Sequence, residues 1–172
     1  MPRELTFSCY RKYPFFTKER SRRWFVDALE QVRSEWPVDL WAWVLMPDHA
    51  HLIVAPRKPN IKIGRFQGAI KERVARKAIS WLEENSPAWL QKITVVEGPR
   101  IRRRFWQPGG GYDRNIEFQS TLQSMIDYLH QNPVRRGLVV RAENWEWSSA
   151  RFYSGDKSVL IEMDRTLPTL VE

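Results

Sequence analysis

The sequence predicts an α+β fold: a ferredoxin-like antiparallel sheet with helices on one face, plus a C-terminal helix carrying a tyrosine. Three observations lead there. The periodicities run strand, helix, strand, strand, helix, strand. One segment, Val38 to Met46, is apolar on both faces, as a strand covered from both sides must be. An extra helical stripe then follows a run of proline and glycine at 108–111.

The elements follow in chain order. From Glu4 to Tyr10, Leu5, Phe7 and Cys9 alternate with Thr6 and Ser8, a strand with one apolar face. Thr17 is placed to cap a helix whose stripe is Phe25, Ala28, Leu29, Val32 and Trp36, and Pro37 ends it. The doubly apolar run is expected as a central strand. Pro47-Asp48 is a turn pair, and His49 to Ala55 returns as the second arm of a hairpin. Asn60 is placed to cap the next helix, which reaches about Leu82 and buries Phe66, Ile70, Val74 and Ala78. Lys92–Glu97 and Ile101–Gln107 read as strands around Gly98-Pro99, and Pro108 to Gly111 as a flexible loop. A helix from about Glu117 to Gln131 has the stripe Leu122, Met125, Ile126 and Leu129, closed by Asn132-Pro133. Residues 1–154 form one domain on this reading. Residues 155–172 are a polar, poorly periodic tail with partial disorder expected.

Charge narrows the partners. The 172-residue chain carries a net +8, and the excess sits mid-chain: eight Lys/Arg against one acid in 57–77, three against six from Glu143 onward. That balance favours polyanions, nucleic acid first. The single cysteine, Cys9, rules out an intramolecular disulfide and a CxxC metal site. No secretory leader and no membrane-length apolar run is present, so a cytoplasmic protein without a membrane partner is expected. Nine tryptophans are many for this length, and some of them are candidates to stack on bases.

Two sets of residues carry chemistry. His49 and His51 lie two apart on a strand and point to one face, with Ala50 turned to the other, so both imidazoles can reach one ion. On the late helix, Tyr128 lies roughly 110° from the centre of the apolar stripe and Asn132 about 40° from Tyr128. A phenol and an amide therefore share one helix edge. His130, about 160° from Asn132, is the weaker ligand. A phenol of pKa near 10 needs help to ionise, which a divalent cation supplies. Two imidazoles and an amide oxygen make a three-ligand site with open positions, and imidazole tolerates manganese more readily than magnesium.

These residues sit in longer blocks. Trp43-Val-Leu-Met-Pro-Asp-His-Ala-His-Leu-Ile-Val resembles the metal-binding signature of the HUH-type Y1 transposases, the IS200/IS605-like group, and most closely their REP-associated branch. Phe105-Trp106-Gln107 with Tyr112-Asp113, Tyr128-Leu-His-Gln-Asn-Pro-Val-Arg-Arg-Gly-Leu-Val, and Trp145 to Tyr153 resemble three further blocks in the same order, over residues 4 to 154. The resemblance implies that His49, His51 and Asn132 bind Mg²⁺ or Mn²⁺. It implies that Tyr128 attacks single-stranded hairpin (REP-like) DNA, leaving a 5′-phosphotyrosine link and a free 3′ hydroxyl. Arg57, Lys58, Lys62, Arg65, Arg102, Arg103 and Arg104 are the expected phosphate contacts. Asn132 stands where other branches carry Gln, and the 108–111 stretch replaces a more ordered one. The alternative is a relative that binds hairpins without cutting. Both a monomer and a homodimer remain open.

Overall fold

The computed structural model describes residues 1–109, 111–117 and 119–168. Four strands form one antiparallel sheet: β1 (Arg3–Ser8), β2 (Val38–Leu45), β3 (His49–Pro56) and β6 (Tyr112–Asn115). Their order is β2-β3-β1-β6. The helices α1 (Glu19–Glu35) and α2 (Ile63–Asn85) cover one face. The strand order and the two crossover helices are those of the ferredoxin-like pattern. Between α2 and β6 the chain adds a short helix, α3 (Pro87–Lys92), and a separate hairpin of β4 (Thr94–Glu97) and β5 (Arg100–Arg103). After β6 come α4 (Gln119–His130), α5 (Asn132–Arg135) and α6 (Ala150–Tyr153).

Alternation sorts the side chains into two cores. Leu5, Phe7, Ala50, Leu52 and Val54 pack with Phe25, Leu29, Phe66 and Ile70 from the first two helices. On the second face, Val44 and Ile53 pack with Leu122, Ile126 and Leu129 of α4. The register of β2 on β3 slips between Leu40 and Ala42, so Trp41 is bulged. Trp41 and Ala42 consequently both enter the second core, the local reorientation a bulge produces. Among the described residues no helix is long and apolar enough to cross a membrane.

The strand expected to be central, Val38 to Met46, is an edge strand. It is nonetheless buried throughout, because later chain covers its open side. Leu45 N donates to Trp147 O, Ser149 N to Trp43 O, and Trp43 N to Ser149 Oγ. Further along, Leu40 N donates to Asp164 Oδ2, Asp164 N to Leu40 O, and Tyr153 Oη to Trp41 O. Covering an edge removes the unpaired ladder that would otherwise template aggregation. Apolar patterning registers burial but not which neighbour causes it.

Three other expectations change. The fourth sheet strand is β6, not the 101–107 segment, whose Phe105 and Trp106 instead fill the first core. β6 reads Tyr-Asp-Arg-Asn and is exposed, so it leaves no apolar period. It sits at the end of the expected flexible loop. Gly111 has φ +69°, and a Cβ there would lie 2.4 Å from Thr6 O, so the chain meets β1 at a point only glycine fits. Gly110 of that loop, and Phe118 and the Gln119 side chain of the expected helix, lie outside the described residues. The tail is not loose over 160–167: Ile161 and Met163 are buried, and Thr166 bonds to Trp41 Nε1 and Asp39. Its few apolar residues are too sparse for a period yet sit against β2. Residues 169–172 of that tail also lie outside the described residues. Neither Thr17 nor Asn60 caps a helix. Thr17 Oγ1 donates to Pro14 O, and the helices start after Lys18 and Lys62 without side-chain caps.

Ser149 is the junction of these contacts. Its hydroxyl accepts from Trp43 N at 2.9 Å and shares a 2.7 Å hydrogen bond with His130 Nε2 at the end of α4. Ser149→Ala leaves a buried amide and a buried imidazole without partners. Urea unfolding should show a loss of roughly 2–6 kcal/mol, each of the two orphaned groups costing about 1–3.

Candidate functional site

β3 carries both histidines on the face that α4 shares, as strand alternation requires. Their ring centroids are 5.0 Å apart, nearly perpendicular. Each ring is held from its Nδ1 side. His49 Nδ1 lies 2.7 Å from Asp48 Oδ1, and His51 Nδ1 lies 2.8 Å from Thr6 Oγ1, its antiparallel neighbour on β1. A carboxylate accepts only, so His49 keeps its proton on Nδ1 and its lone pair on Nε2. Thr6 can hold His51 in the same tautomer. Both rings are thereby fixed in orientation by hydrogen bonds on their Nδ1 side.

Burial decides their charge. It pushes His51 down to about 4, helped by repulsion from His49 whenever that ring is protonated and from the Arg135 guanidinium. His49 also falls below the ordinary 6.5: burial outweighs the opposing pull of the Asp48 carboxylate. Asp48 itself is raised by burial, but hydrogen bonds from His49 and Arg136 outweigh that and hold it below the usual carboxylate range. Both imidazoles are therefore neutral at pH 7, the state in which they can donate to a cation. Among the described residues no cluster of three His, Cys, Asp or Glu could hold a metal. A third protein ligand would have to be another oxygen donor, such as an amide.

α4 brings Tyr128 to the same place. His51 and Tyr128 line one open cavity of about 410 Å³, with Glu4, Thr6, Tyr112 and Arg114 on the strand side. The phenol is 64% exposed, while Leu122, Ile126 and Leu129 of the same helix are buried. That matches an edge position on the helix. The Arg135 guanidinium lies 3.7 Å from the Tyr128 ring centroid, and Arg136 Nη2 reaches Asp48 Oδ1 at 3.0 Å. So α5, which Asn132 opens, is tied to the tyrosine on one side and to the His49 partner on the other. Asn132 is half-buried, and among the described residues its side chain has no hydrogen-bond partner. His130 points away: buried, pushed to about 4 by desolvation, it bonds Ser149.

The basic residues singled out from sequence do not gather here. Arg57 follows the far end of β3, roughly 25 Å along the strand from His49, and pairs with Asp39 and Asp164. Lys58, Lys62 and Arg65 are exposed near that end. Arg102, Arg103 and Arg104 pair with Glu97, Glu83 and Glu97. What sequence reading overlooked is Thr6, Arg135, Arg136 and the second role of Asp48. Asp48 looked like a turn residue, and Thr6 needs the β1–β3 register to find its histidine.

The chain is similar to several known proteins. The profile described as "Transposase IS200 like" matches residues 4–132. A Haemophilus influenzae protein named for REP-associated tyrosine transposases is 24% identical over 149 residues, covering 78% of this chain and 77% of that one. Among solved structures, a REP-associated tyrosine transposase bound to a REP hairpin superposes with a TM-score of 0.67 at 17% identity, covering 99% of this chain and 92% of that one. A transposase-like protein from Deinococcus radiodurans reaches 0.50 at 20% identity, over 75% and 90%.

The depressed imidazoles set a pH dependence. In the metal-free protein, His51 and His130 stay neutral to about pH 4, whereas the unfolded chain takes up their protons near 6.5. Stability is then fully present above pH 6.5 and falls as pH drops from 6.5 toward 4. At pH 5 the loss should be on the order of 1–2 kcal/mol for each ring. NMR titration of the ring protons checks it; midpoints near 6.5 for both would contradict the burial argument.

Proposed function

The chain belongs to the IS200-like transposase family, and from that premise we propose that it nicks and rejoins single-stranded hairpin DNA through Tyr128. The observation that carries the reading is the cavity shared by His51 and Tyr128. The Tyr128 phenol stands exposed in the cavity that His51 lines, and His51 and its strand neighbour His49 are held neutral and oriented.

The donor set suits a divalent ion such as Mg²⁺ or Mn²⁺: His49 and His51 through Nε2, with Asn132 as the amide. When bound, such an ion would polarise a phosphoryl oxygen and offset the charge that develops on it. The chain's own groups do the rest. Asp48 and Thr6 fix the two rings. Arg136 fixes Asp48. Arg135, against the Tyr128 ring, places a permanent positive charge where a phosphate must enter. The Tyr128 oxygen attacks phosphorus and gives up its proton. The bond to the 3′ oxygen breaks, and that oxygen takes up a proton as a free hydroxyl. The new ester is a 5′-phosphotyrosine. Attack by a 3′ hydroxyl on that ester reverses the step and needs no ATP. The tyrosine helix packs on the sheet of its own chain, so one copy brings the phenol and the histidines together.

The phosphate contacts divide by what already neutralises them. Lys58, Lys62 and Arg65 have no carboxylate partner among the described residues, whereas Arg57, Arg102, Arg103 and Arg104 do. The first three are therefore the better candidates for long-range phosphate contacts, and the others must exchange one partner for another.

With Mn²⁺ present, the purified protein should become covalently attached to a hairpin oligonucleotide taken from DNA beside its gene. Tyr128→Phe should abolish the adduct, and His49→Ala or His51→Ala should lower its rate at least 100-fold. An adduct that survives Tyr128→Phe would remove the tyrosine from this role. Tight hairpin binding with no adduct under any metal would leave a binding module instead. Separately, Lys62→Gln and Arg65→Gln should each flatten the dependence of log affinity on log salt by about one unit if they meet phosphates.

A further inference from the structure

Cleavage that ends in a free 3′ hydroxyl needs a proton for the departing oxygen as well as a nucleophile. The sheet register points to a donor. Tyr112 of β6 lies opposite Thr6 of β1, and Thr6 lies opposite His51 of β3. Residues directly opposite on neighbouring antiparallel strands share a face. Tyr112, Thr6 and His51 therefore form one row across the sheet, and all three line the cavity that Tyr128 also lines. Tyr128 reaches that cavity from helix α4, and Tyr112 reaches it from the last strand of the sheet. One cavity thus holds two phenols carried by two different elements. Displacement at phosphorus runs in line, with the attacking and leaving oxygens on opposite sides. A phosphodiester lying between helix and sheet edge has one phenol for each oxygen.

The fold makes no use of the second hydroxyl. Tyr112 is 49% exposed. Among the described residues its oxygen has no hydrogen-bond partner, and its one charged neighbour is the Arg114 guanidinium, 6.0 Å from the ring centroid. The other polar groups around the cavity are less suited to give up a proton. Glu4 and Arg114 are engaged with each other at 3.0 Å. Thr6 is bonded to His51 at 2.8 Å. Thr121 and Ser124 carry aliphatic hydroxyls, and alcohols as a class are much weaker acids than phenols.

We propose that Tyr112 is the general acid of the cleavage step, donating its hydroxyl proton to the 3′ oxygen as Tyr128 attacks phosphorus. The inference rests on the reading of Tyr128 as the nucleophile and supplies the group on the other side of the phosphate. The bond from the Tyr128 oxygen to phosphorus forms, the bond from phosphorus to the 3′ oxygen breaks, and the Tyr112 proton passes to that oxygen. The Tyr128 proton goes to solvent, to which that phenol is open. Tyr112 is left as a phenolate near Arg114 and recovers a proton from solvent. In rejoining, the same phenolate takes the proton of the attacking 3′ hydroxyl.

The test replaces the 3′ oxygen at the mapped cleavage position of the hairpin oligonucleotide with sulfur. A thiolate leaves without being protonated, so that substrate does not need a general acid. Adduct formation is followed in single turnovers with Mn²⁺ present. Tyr112→Phe should slow the ordinary oligonucleotide about 100- to 10,000-fold, the usual contribution of a general acid, and leave the sulfur-bridged one at the wild-type rate. Tyr112→fluorotyrosine, which keeps the ring and its hydroxyl, should restore most of the loss. Hairpin affinity without metal, read by fluorescence anisotropy, should not change. Equal slowing of both substrates would overturn the proposal, because Tyr112 would then place the DNA without protonating it. An undiminished rate on the ordinary substrate would overturn it too. The two readings come apart in the adduct itself. If Tyr112→Phe still forms a Tyr128-linked adduct at full rate on both substrates, only the general acid is lost. If the adduct persists in Tyr128→Phe, the nucleophile is lost and this proposal with it. Tyr112→Phe removes a single oxygen that no described residue bonds, and its full rate on the sulfur-bridged substrate reports that the protein is folded.

Discussion

The open edge of β2 is covered by one set of hydrogen bonds, and the placement of the Tyr128 helix on the sheet's second face depends on it. β2 ends the sheet, and its open amides and carbonyls are taken by residues from Trp147 to Asp164. Ser149 stands at the centre, bonded at once to the backbone of Trp43 and to His130. His130 belongs to the helix that carries Tyr128. The group that protects an exposed edge thereby also fixes where Tyr128 stands relative to the sheet. A buried amide left unpaired costs more than an ordinary bond contributes, so this junction tolerates little substitution.

Strand alternation does the next part. On β3 the residues Ala50, Leu52 and Val54 go to the helix-covered core, and His49, His51 and Ile53 go to the other. A one-residue slip would bury both imidazoles against α1 and α2. In the observed register they share a face with Glu4 and Thr6 of β1 and with Tyr112 and Arg114 of β6. α4 covers only the β2 side of that face, and the uncovered remainder is the cavity. Burial is deep enough to keep both rings neutral, even against the Asp48 carboxylate.

Charge works at two ranges. The net +8 of the chain draws polyanions without selecting a place for them. Place is set by which cations lack an internal partner. Arg57 and the 102–104 run are engaged with Asp39, Asp164, Glu83 and Glu97. Arg135 lies over the Tyr128 ring and has no carboxylate partner among the described residues, so its charge is not cancelled there.

Much of this was legible in the order of residues. The first three strands and the two long helices between them, the shared face of His49 and His51 and the edge position of Tyr128 follow from local spacing, which depends on residues a few positions apart; the family blocks were legible as a resemblance. What local spacing does not encode is pairing. β6 has no apolar period because it is exposed, so its place in the sheet comes from backbone bonds to β1. The doubly apolar β2 looked central because burial leaves the same mark whether a strand or the 147–164 segment lies beside it. Thr6 beneath His51, and Arg136 beyond Asp48, are separated from their partners by 45 and 88 residues. Only the folded chain brings them together, since a side chain's partner is set by register and packing across the whole domain, not by its neighbours in sequence.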